Sequence, residues 1–193
     1  MSPASKTKTR RIKKSRSVYA PAPVQEAEES HILAILVNNE PGVLARVIGL
    51  YSGRGYNIES LTVAEVDPTQ HLSRITIVCK GTPAVIEQIT AQLDRLVPVL
   101  EVSNLTTECD SIERELALVK VVCTGEKRIE ALRCGDIFRA RAVDSTLESF
   151  VFEVTGTAEK IDAFIDLMTP LGLIDVSRTG VAAISRGKEA IGA

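Results

Sequence analysis

The sequence predicts an α+β protein of two domains in tandem, each with the element order β-α-β-β-α-β. Short runs rich in β-branched residues alternate with segments whose apolar residues recur every three to four positions. The same order of elements occurs twice along the 193 residues, which leaves roughly eighty residues for each domain. This order is that of the ferredoxin-like arrangement.

Residues 1–30 are predicted to be a disordered basic tail and linker. The segment KTKTRRIKKSR (6–16) holds seven of the 23 Lys and Arg residues and no acidic residue. Basic arms of this kind are usually disordered and solubilising, although contact with an anionic partner such as nucleic acid stays open. A transit peptide is a weaker alternative, because the segment has little amphipathic apolar face.

The first domain is predicted to span residues 31–106. HILAILV (31–37) is a nearly continuous apolar run, as expected of a strand that is covered on both faces. A helix from Pro41 follows, closed by Gly53 or Gly55, with an inward face predicted at Val43/Leu44, Val47/Ile48 and Leu50/Tyr51. The next elements are strands at 57–66 and 72–80 joined by a hairpin, a helix begun by Thr82 and Pro83, and a strand at 97–105. The core face of that second helix is predicted at Val85/Ile86, Ile89, Leu93 and Leu96.

The second domain is predicted to span residues 114–187, after a boundary at 106–113 where both periodicities break. Its elements are a strand at 115–124, a helix at 126–138 whose apolar positions are Ile129, Leu132 and Ile137/Phe138, and strands at 139–144 and 147–156. A helix capped by Thr157, with Ile161, Phe164/Ile165 and Met168 inward, and one final strand within 173–186 complete it. The sequence therefore predicts a repeated architecture.

Catalytic and metal chemistry are not predicted for this chain. The sequence has no nucleophile–base motif, and His31 and His71 have no Cys or carboxylate partner at ligand spacing. Its four cysteines form no CxxC pair and are expected to be reduced and mostly buried. No apolar run approaches the ~20 residues of a membrane helix. With 4% aromatic residues and no Trp, the strands offer no platform for stacking RNA bases.

The turn that opens NNEPGVLARVIGL is a candidate ligand site. A helix beginning at Pro41 leaves the amides of residues 42–44 without intrahelical acceptors, and such amides attract a carboxylate. Asn38 or Asn39 can bind either charged group of an amino acid, and Asn57 is expected at the same end of the sheet. A free α-amino acid suits this chemistry, but a plain turn fits the residues equally well.

The segment HILAILVNNEPGVLARVIGLYSGRGYNIESLTVAEV resembles the opening of the small, regulatory subunit of acetolactate synthase (acetohydroxyacid synthase). The resemblance continues through LSRITIVCKG, ERELALVKV, DIFRARAVD, GTAEKIDAFIDLM and SRTGVAAISRG, and covers residues 31–187. NEPGVLARVIGL together with RGYNIESL is the specific part of the signature, since other ACT domains share only the Pro-Gly turn.

The resemblance implies that the first domain is an amino-acid-binding ACT domain and the second is the C-terminal domain of the family. It implies a homodimer formed through the ACT domains, with a branched-chain amino acid, usually valine, between the turn of one chain and the equivalent region of its partner. The implied effector-binding residues are Asn39, Glu40, Pro41, Gly42, Val43, Leu44, Asn57 and Ile58.

The resemblance further implies a cytoplasmic, non-catalytic subunit of a thiamine-diphosphate-dependent transferase. The chain would activate a separate large catalytic subunit and confer feedback inhibition by valine on it. Thiamine diphosphate, FAD and Mg²⁺ would then bind to that large subunit and not to this chain. Two alternatives are a free-standing amino-acid-sensing ACT regulator of another target, and nucleic-acid binding through residues 6–16.

Overall fold

The computed structural model describes residues 27–188 and 190–191, so the predicted basic segment lies outside the described residues. Two antiparallel sheets, each accompanied by two helices, confirm the α+β class and the tandem ferredoxin-like arrangement. The elements are β1 (Glu29–Asn38), α1 (Val43–Arg54), β2 (Ile58–Asp67), β3 (Leu72–Gly81), α2 (Pro83–Leu93), β4 (Val99–Asn104), β5 (Ser111–Val122), α3 (Glu126–Phe138), β6 (Arg141–Ser145), β7 (Ser149–Gly156), α4 (Ala158–Gly172), β8 (Leu173–Arg178) and β9 (Ala182–Ser185).

The two sheets repeat one strand order. The first is ordered β2-β3-β1-β4, and the second is ordered β6-β7-β5-β8, with β9 as an additional strand that pairs with β5. All four cysteines are free and three of them are buried, as predicted. The second half of the chain therefore reproduces the architecture of the first half.

Strand β1 is buried on both faces, as its apolar run predicts. Leu33, Ile35 and Val37 lie in the main core of the first half, which α1 and α2 also line. Ile32 and Ala34 belong to a second cluster, to which Val181 and Ala183 also belong. The cover over the second face of β1 thus comes from the other half of the chain.

Helix α1 begins at Val43, and the prediction that it begins at Pro41 is wrong. Gly42 has φ +84°, in the left-handed region, so it cannot continue a right-handed helix and instead caps its N-terminus. Val47 and Tyr51 are buried together with Val43, which matches the predicted inward face. The helix ends at Gly55, whose φ of +72° closes it in the predicted manner.

Of the predicted apolar positions of α3, Phe138 packs against the core, but the prediction is wrong for Ile129, Leu132 and Ile137. Their exposed fractions are 55%, 41% and 75%, whereas the buried residues of this helix are Ala131, Cys134 and Gly135. A Cβ atom on Gly135 would lie only 3.0 Å from the ring of Phe152. The bulky ring leaves room only for small side chains, so α3 turns its small residues toward the sheet.

The final strand is divided, contrary to the single strand predicted within 173–186. The chain leaves β8 at Arg178, turns at Gly180 with φ +83°, and resumes as β9. Strand β9 pairs with residues 111–114, at the start of β5. This pairing is why β5 begins inside the segment predicted to be the boundary between the domains.

Candidate functional site

The predicted turn is fixed to two neighbouring loops by backbone hydrogen bonds. The amide of Asn38 donates to the carbonyl of Pro98 (2.8 Å), and that of Asn39 donates to the carbonyl of His71 (2.7 Å). The amide of Glu40 donates back to the carbonyl of Asn38 (2.8 Å). Backbone hydrogen bonds therefore anchor both Asn residues of the turn to these loops.

The start of α1 presents unused amide donors beside this turn. The amide of Val43 donates to the carbonyl of Glu40 (3.2 Å) and is therefore occupied. Among the described residues, no backbone carbonyl accepts from the amides of Gly42, Leu44 or Ala45. The available donors thus differ in part from the predicted set at residues 42–44, and they lie at the positive end of the helix macrodipole.

The space above the turn is open. A Cβ atom built on Gly42 would meet nothing within 4 Å. Asn39, Glu40 and Pro41 are exposed, whereas Val43 is buried in the core and Leu44 is half-buried. The residues at 39–42 can therefore reach a ligand directly, while Val43 and Leu44 form the apolar base of the turn.

Glu65, which was not predicted as a site residue, lies beside Asn39 and His71. The side-chain amide of Asn39 donates to Glu65 Oε1 (3.2 Å), and His71 Nδ1 lies 4.0 Å from that oxygen. Leu61 packs against the core on the helix side of the sheet, so Glu65, four residues further along β2, faces the same side. An acidic residue at a strand position that otherwise faces the helices was the only signal in the sequence.

The hairpin between β2 and β3 positions the carbonyl of His71 that holds Asn39. Asp67 Oδ1 accepts from the amide (2.8 Å) and the hydroxyl (2.6 Å) of Thr69, and from the amide of Gln70 (3.2 Å). These bonds, with the Thr69 hydroxyl first, lower the pKa of Asp67. The ionised carboxylate therefore stabilises the loop against which the candidate site rests.

Asn57 and Ile58 lie at the opposite end of the sheet, so the prediction that Asn57 lies near the turn is wrong for a single chain. Ile58 pairs with Cys79, which pairs with His31, whereas the turn follows Asn38 at the other end of β1. Seven residues of strand separate the two levels, or about 23 Å. The reason is that α1 runs back along the sheet and returns the chain to the level where β1 begins.

A metal site and a membrane span are both missing from the part of the chain that the structure describes. Over residues 27–188 and 190–191, no group of three or more His, Cys, Asp or Glu side chains is placed to hold a metal ion. Among the same residues, no helix is both long enough and apolar enough to cross a membrane.

Comparison with known proteins gives matches to both halves of the chain. Residues 33–101 match the family model of the AHAS small subunit-like ACT domain, and residues 114–187 match that of the small subunit of acetolactate synthase. The probable acetolactate synthase small subunit of Archaeoglobus fulgidus is 48% identical over 159 residues, which are 82% of this chain and 98% of that protein. The acetolactate synthase small subunit of Haemophilus influenzae is 47% identical over 162 residues, covering 83% and 98% of the two chains.

A solved structure is similar over most of the chain. The crystal structure of the acetolactate synthase small subunit from Thermotoga maritima superposes with a TM-score of 0.74 at 37% sequence identity. The match covers 83% of this chain and 99% of that one.

Proposed function

The chain belongs to the family of acetolactate synthase small subunits, and we propose that it regulates a separate catalytic subunit by binding valine, or another branched-chain amino acid, across a dimer of its ACT domains. On this proposal the transferase chemistry, with thiamine diphosphate, FAD and Mg²⁺, belongs to the catalytic subunit. The residues of this chain only bind the effector and transmit its presence.

The observation that carries the proposal is the position of the predicted contact residues at opposite ends of β2. Asn39 lies beside Glu65 near the end of this strand, whereas Asn57 immediately precedes its start. An antiparallel pairing of β2 with the same strand of a second chain, about a two-fold axis at its midpoint, places the partner's Asn57 opposite Pro68. Each dimer would then contain two equivalent sites, and each site would be built from both chains.

Strand β2 is suited to such pairing because it lies at the edge of the first sheet. Val63 and Val66 on this strand have exposed fractions of 45% and 51%. An edge strand with exposed valines favours association with another chain, because pairing with a second strand supplies hydrogen-bond partners for its free backbone N–H and C=O groups. Two copies of the first sheet would form one sheet of eight strands.

The chemistry of the turn fits the zwitterion of an α-amino acid. The ligand carboxylate would accept hydrogen bonds from the free amides of Leu44 and Ala45, at the positive end of α1. Its aliphatic side chain would contact Leu44 and the partner's Ile58. The eight heavy atoms of valine, at about 0.7 kcal/mol each, give a dissociation constant of tens of micromolar.

Feedback inhibition would follow by linkage between two binding equilibria. Valine can inhibit only if it binds more tightly to the arrangement of subunits that is less active. Because the site spans two chains, occupancy would favour one relative placement of the ACT domains. The catalytic subunit would respond to that placement.

Calorimetric titration of the full-length chain with L-valine tests this function, with D-valine as the control. We expect saturable binding of L-valine at up to one molecule per chain, with a dissociation constant in the range of tens of micromolar, and no binding of D-valine. The absence of heat with any branched-chain amino acid, both for the chain alone and with its catalytic subunit added, would contradict the proposal.

A further inference from the structure

We propose that Glu65 binds the α-ammonium group of the effector and so restricts the site to amino acids, excluding the corresponding 2-oxo acids. This inference rests on the proposed function, because it concerns the same ligand. It assigns the selectivity of the site to a residue outside the predicted contact set. Valine and 3-methyl-2-oxobutanoate have the same carbon skeleton and differ at the position where Glu65 would act.

Glu65 lies beside the turn with one carboxylate oxygen already hydrogen-bonded. Its Oε1 accepts a hydrogen bond from the side-chain amide of Asn39, whose backbone amide is held by the carbonyl of His71. The Glu65 side chain is 39% exposed, so it is accessible to a ligand while one oxygen is already fixed. The carboxylate is therefore held in place beside the Asn39–Gly42 turn.

Glu65 also has no Lys or Arg ion-pair partner among the described residues. Some acidic residues pair with permanent cations: Glu59 lies 2.7 Å from Lys80, and Glu115 lies 2.6 Å from Arg178. Within the described residues, the only basic group close to Glu65 is the His71 ring at 4.0 Å, which is charged only when protonated. The carboxylate thus lacks a permanent cation, and an ammonium group would supply one through a charge-assisted hydrogen bond.

The arrangement is complementary to both charges of an amino acid. The unused amides of Leu44 and Ala45 form an anion-binding end at the start of α1. Glu65 forms an anionic end, and both ends border the same turn. A 2-oxo acid could use only the first of them, and its keto oxygen would face the carboxylate of Glu65 without a proton to donate.

A purely supporting role, in which Glu65 only orients Asn39, makes different predictions from a ligand-binding role. The substitution Glu65→Gln keeps a side-chain oxygen that can accept from Asn39 and removes only the negative charge. A supporting role would leave this variant nearly unchanged. A role in binding ammonium would selectively weaken ligands that carry the amine.

The experiment compares wild-type chain, Glu65→Gln and the control Glu87→Gln by calorimetry with L-valine and by competition with 3-methyl-2-oxobutanoate. Glu87 is an exposed residue of α2 and does not contact the turn, so Glu87→Gln removes the same charge at a distant position. We expect Glu65→Gln to weaken L-valine binding roughly tenfold to a hundredfold while binding of the oxo acid is unchanged or improved. The control should keep the affinity and selectivity of the wild type.

Three results would overturn the inference while leaving the effector site in place. They are a wild-type chain that binds the oxo acid as tightly as L-valine, a Glu65→Gln variant that keeps the affinity for L-valine, and a Glu65→Gln variant that loses both ligands equally. The first needs no variant and so does not depend on how well the substituted chain folds. A wild-type chain that binds neither ligand, both alone and with its catalytic subunit added, would instead contradict the proposed function itself.

Discussion

Gly42 shows how one residue shapes both the fold and the candidate site. Its φ of +84° ends the turn and starts α1, and the space where a side chain would project is empty. A left-handed conformation favours glycine, but Asn and Asp also adopt it more readily than other residues. Substitutions to these two residues can therefore test the site without blocking the turn.

We expect Gly42→Asp to abolish most binding of L-valine, and Gly42→Asn to affect it much less. Both side chains have nearly the same shape, but Asp places a negative charge beside the amides proposed to hold the ligand carboxylate. The affinities of the two variants, measured by calorimetric titration, should differ by at least about tenfold. Equal affinities would contradict the placement of the carboxylate at the start of α1.

Single residues also show what the sequence could and could not predict about the site. The Pro41–Gly42 turn and the glycine closing α1 were predictable, because their local conformations follow from residue type. Glu65 was not, because it reaches Asn39 only after the chain has folded back across 26 positions. Its charge at a helix-facing position of β2 was a local signal, but that signal does not identify Asn39 as its partner.

At the level of elements, residues 181–183 form a strap that joins the two halves of the chain. The amide of Val181 donates to Ser60 Oγ (2.8 Å), and Thr62 Oγ1 donates to the carbonyl of Val181 (3.0 Å). Arg74 Nη2 donates to the carbonyl of Ala183 (2.9 Å). The strap therefore ties β2, the strand whose two ends carry the candidate site, to the second half.

Gly180 permits this approach, so Gly180→Ala should destabilise the protein. A Cβ atom there would lie 2.7 Å from Ser60 Oγ and 3.2 Å from Thr62 Cγ2, and φ is +83°. We expect a loss of about 2–4 kcal/mol in the free energy of unfolding, measured by urea denaturation. Gly55→Ala is the control, since φ is +72° there and a Cβ meets nothing within 4 Å.

The control should lose only about 1–2 kcal/mol, the contribution of the left-handed conformation itself. Equal losses in the two variants would show that the strap adjusts to the added methyl group without a penalty. The close packing of the strap on Ser60 would then contribute nothing to stability.

Elements differed in how well the sequence predicted them. Periodicity located α1, α2 and α4 together with their inward faces, because each packs large apolar side chains against its sheet. Periodicity did not predict the inward face of α3, because the ring of Phe152 occupies the space beside this helix and leaves room at position 135 only for glycine. It also failed at β9, since the partners of that strand lie in β5 and on the first sheet.

For the whole molecule, the repeat of one strand order explains why the sequence sufficed for the fold class. Both halves have the β-α-β-β-α-β order, and chain order alone predicts that each forms a sheet with its helices on one face. The order of elements in the sequence does not predict how two chains are arranged. A single chain leaves Asn39 and Asn57 at opposite ends of β2, and the proposed antiparallel pairing with a second copy of this strand would bring Asn39 of one chain near Asn57 of the other.

The central claim is that each effector site is shared between two chains, and a heterodimer of two defective variants tests it most directly. Gly42→Asp places a negative charge beside the turn of one chain, and Asn57→Ala removes the residue that the other chain would contribute to its partner's site. If these chains were co-expressed with different affinity tags and purified through both, one site of each proposed heterodimer would carry both changes and the other would carry neither.

Titration of this heterodimer with L-valine should therefore recover one binding site per dimer with nearly the wild-type affinity, although neither homodimer binds L-valine measurably. If each site lay within one chain, every site of the heterodimer would carry one substitution, and no binding would return. A heterodimer that binds no L-valine, while wild-type dimers prepared in the same way bind two molecules, would contradict the shared site.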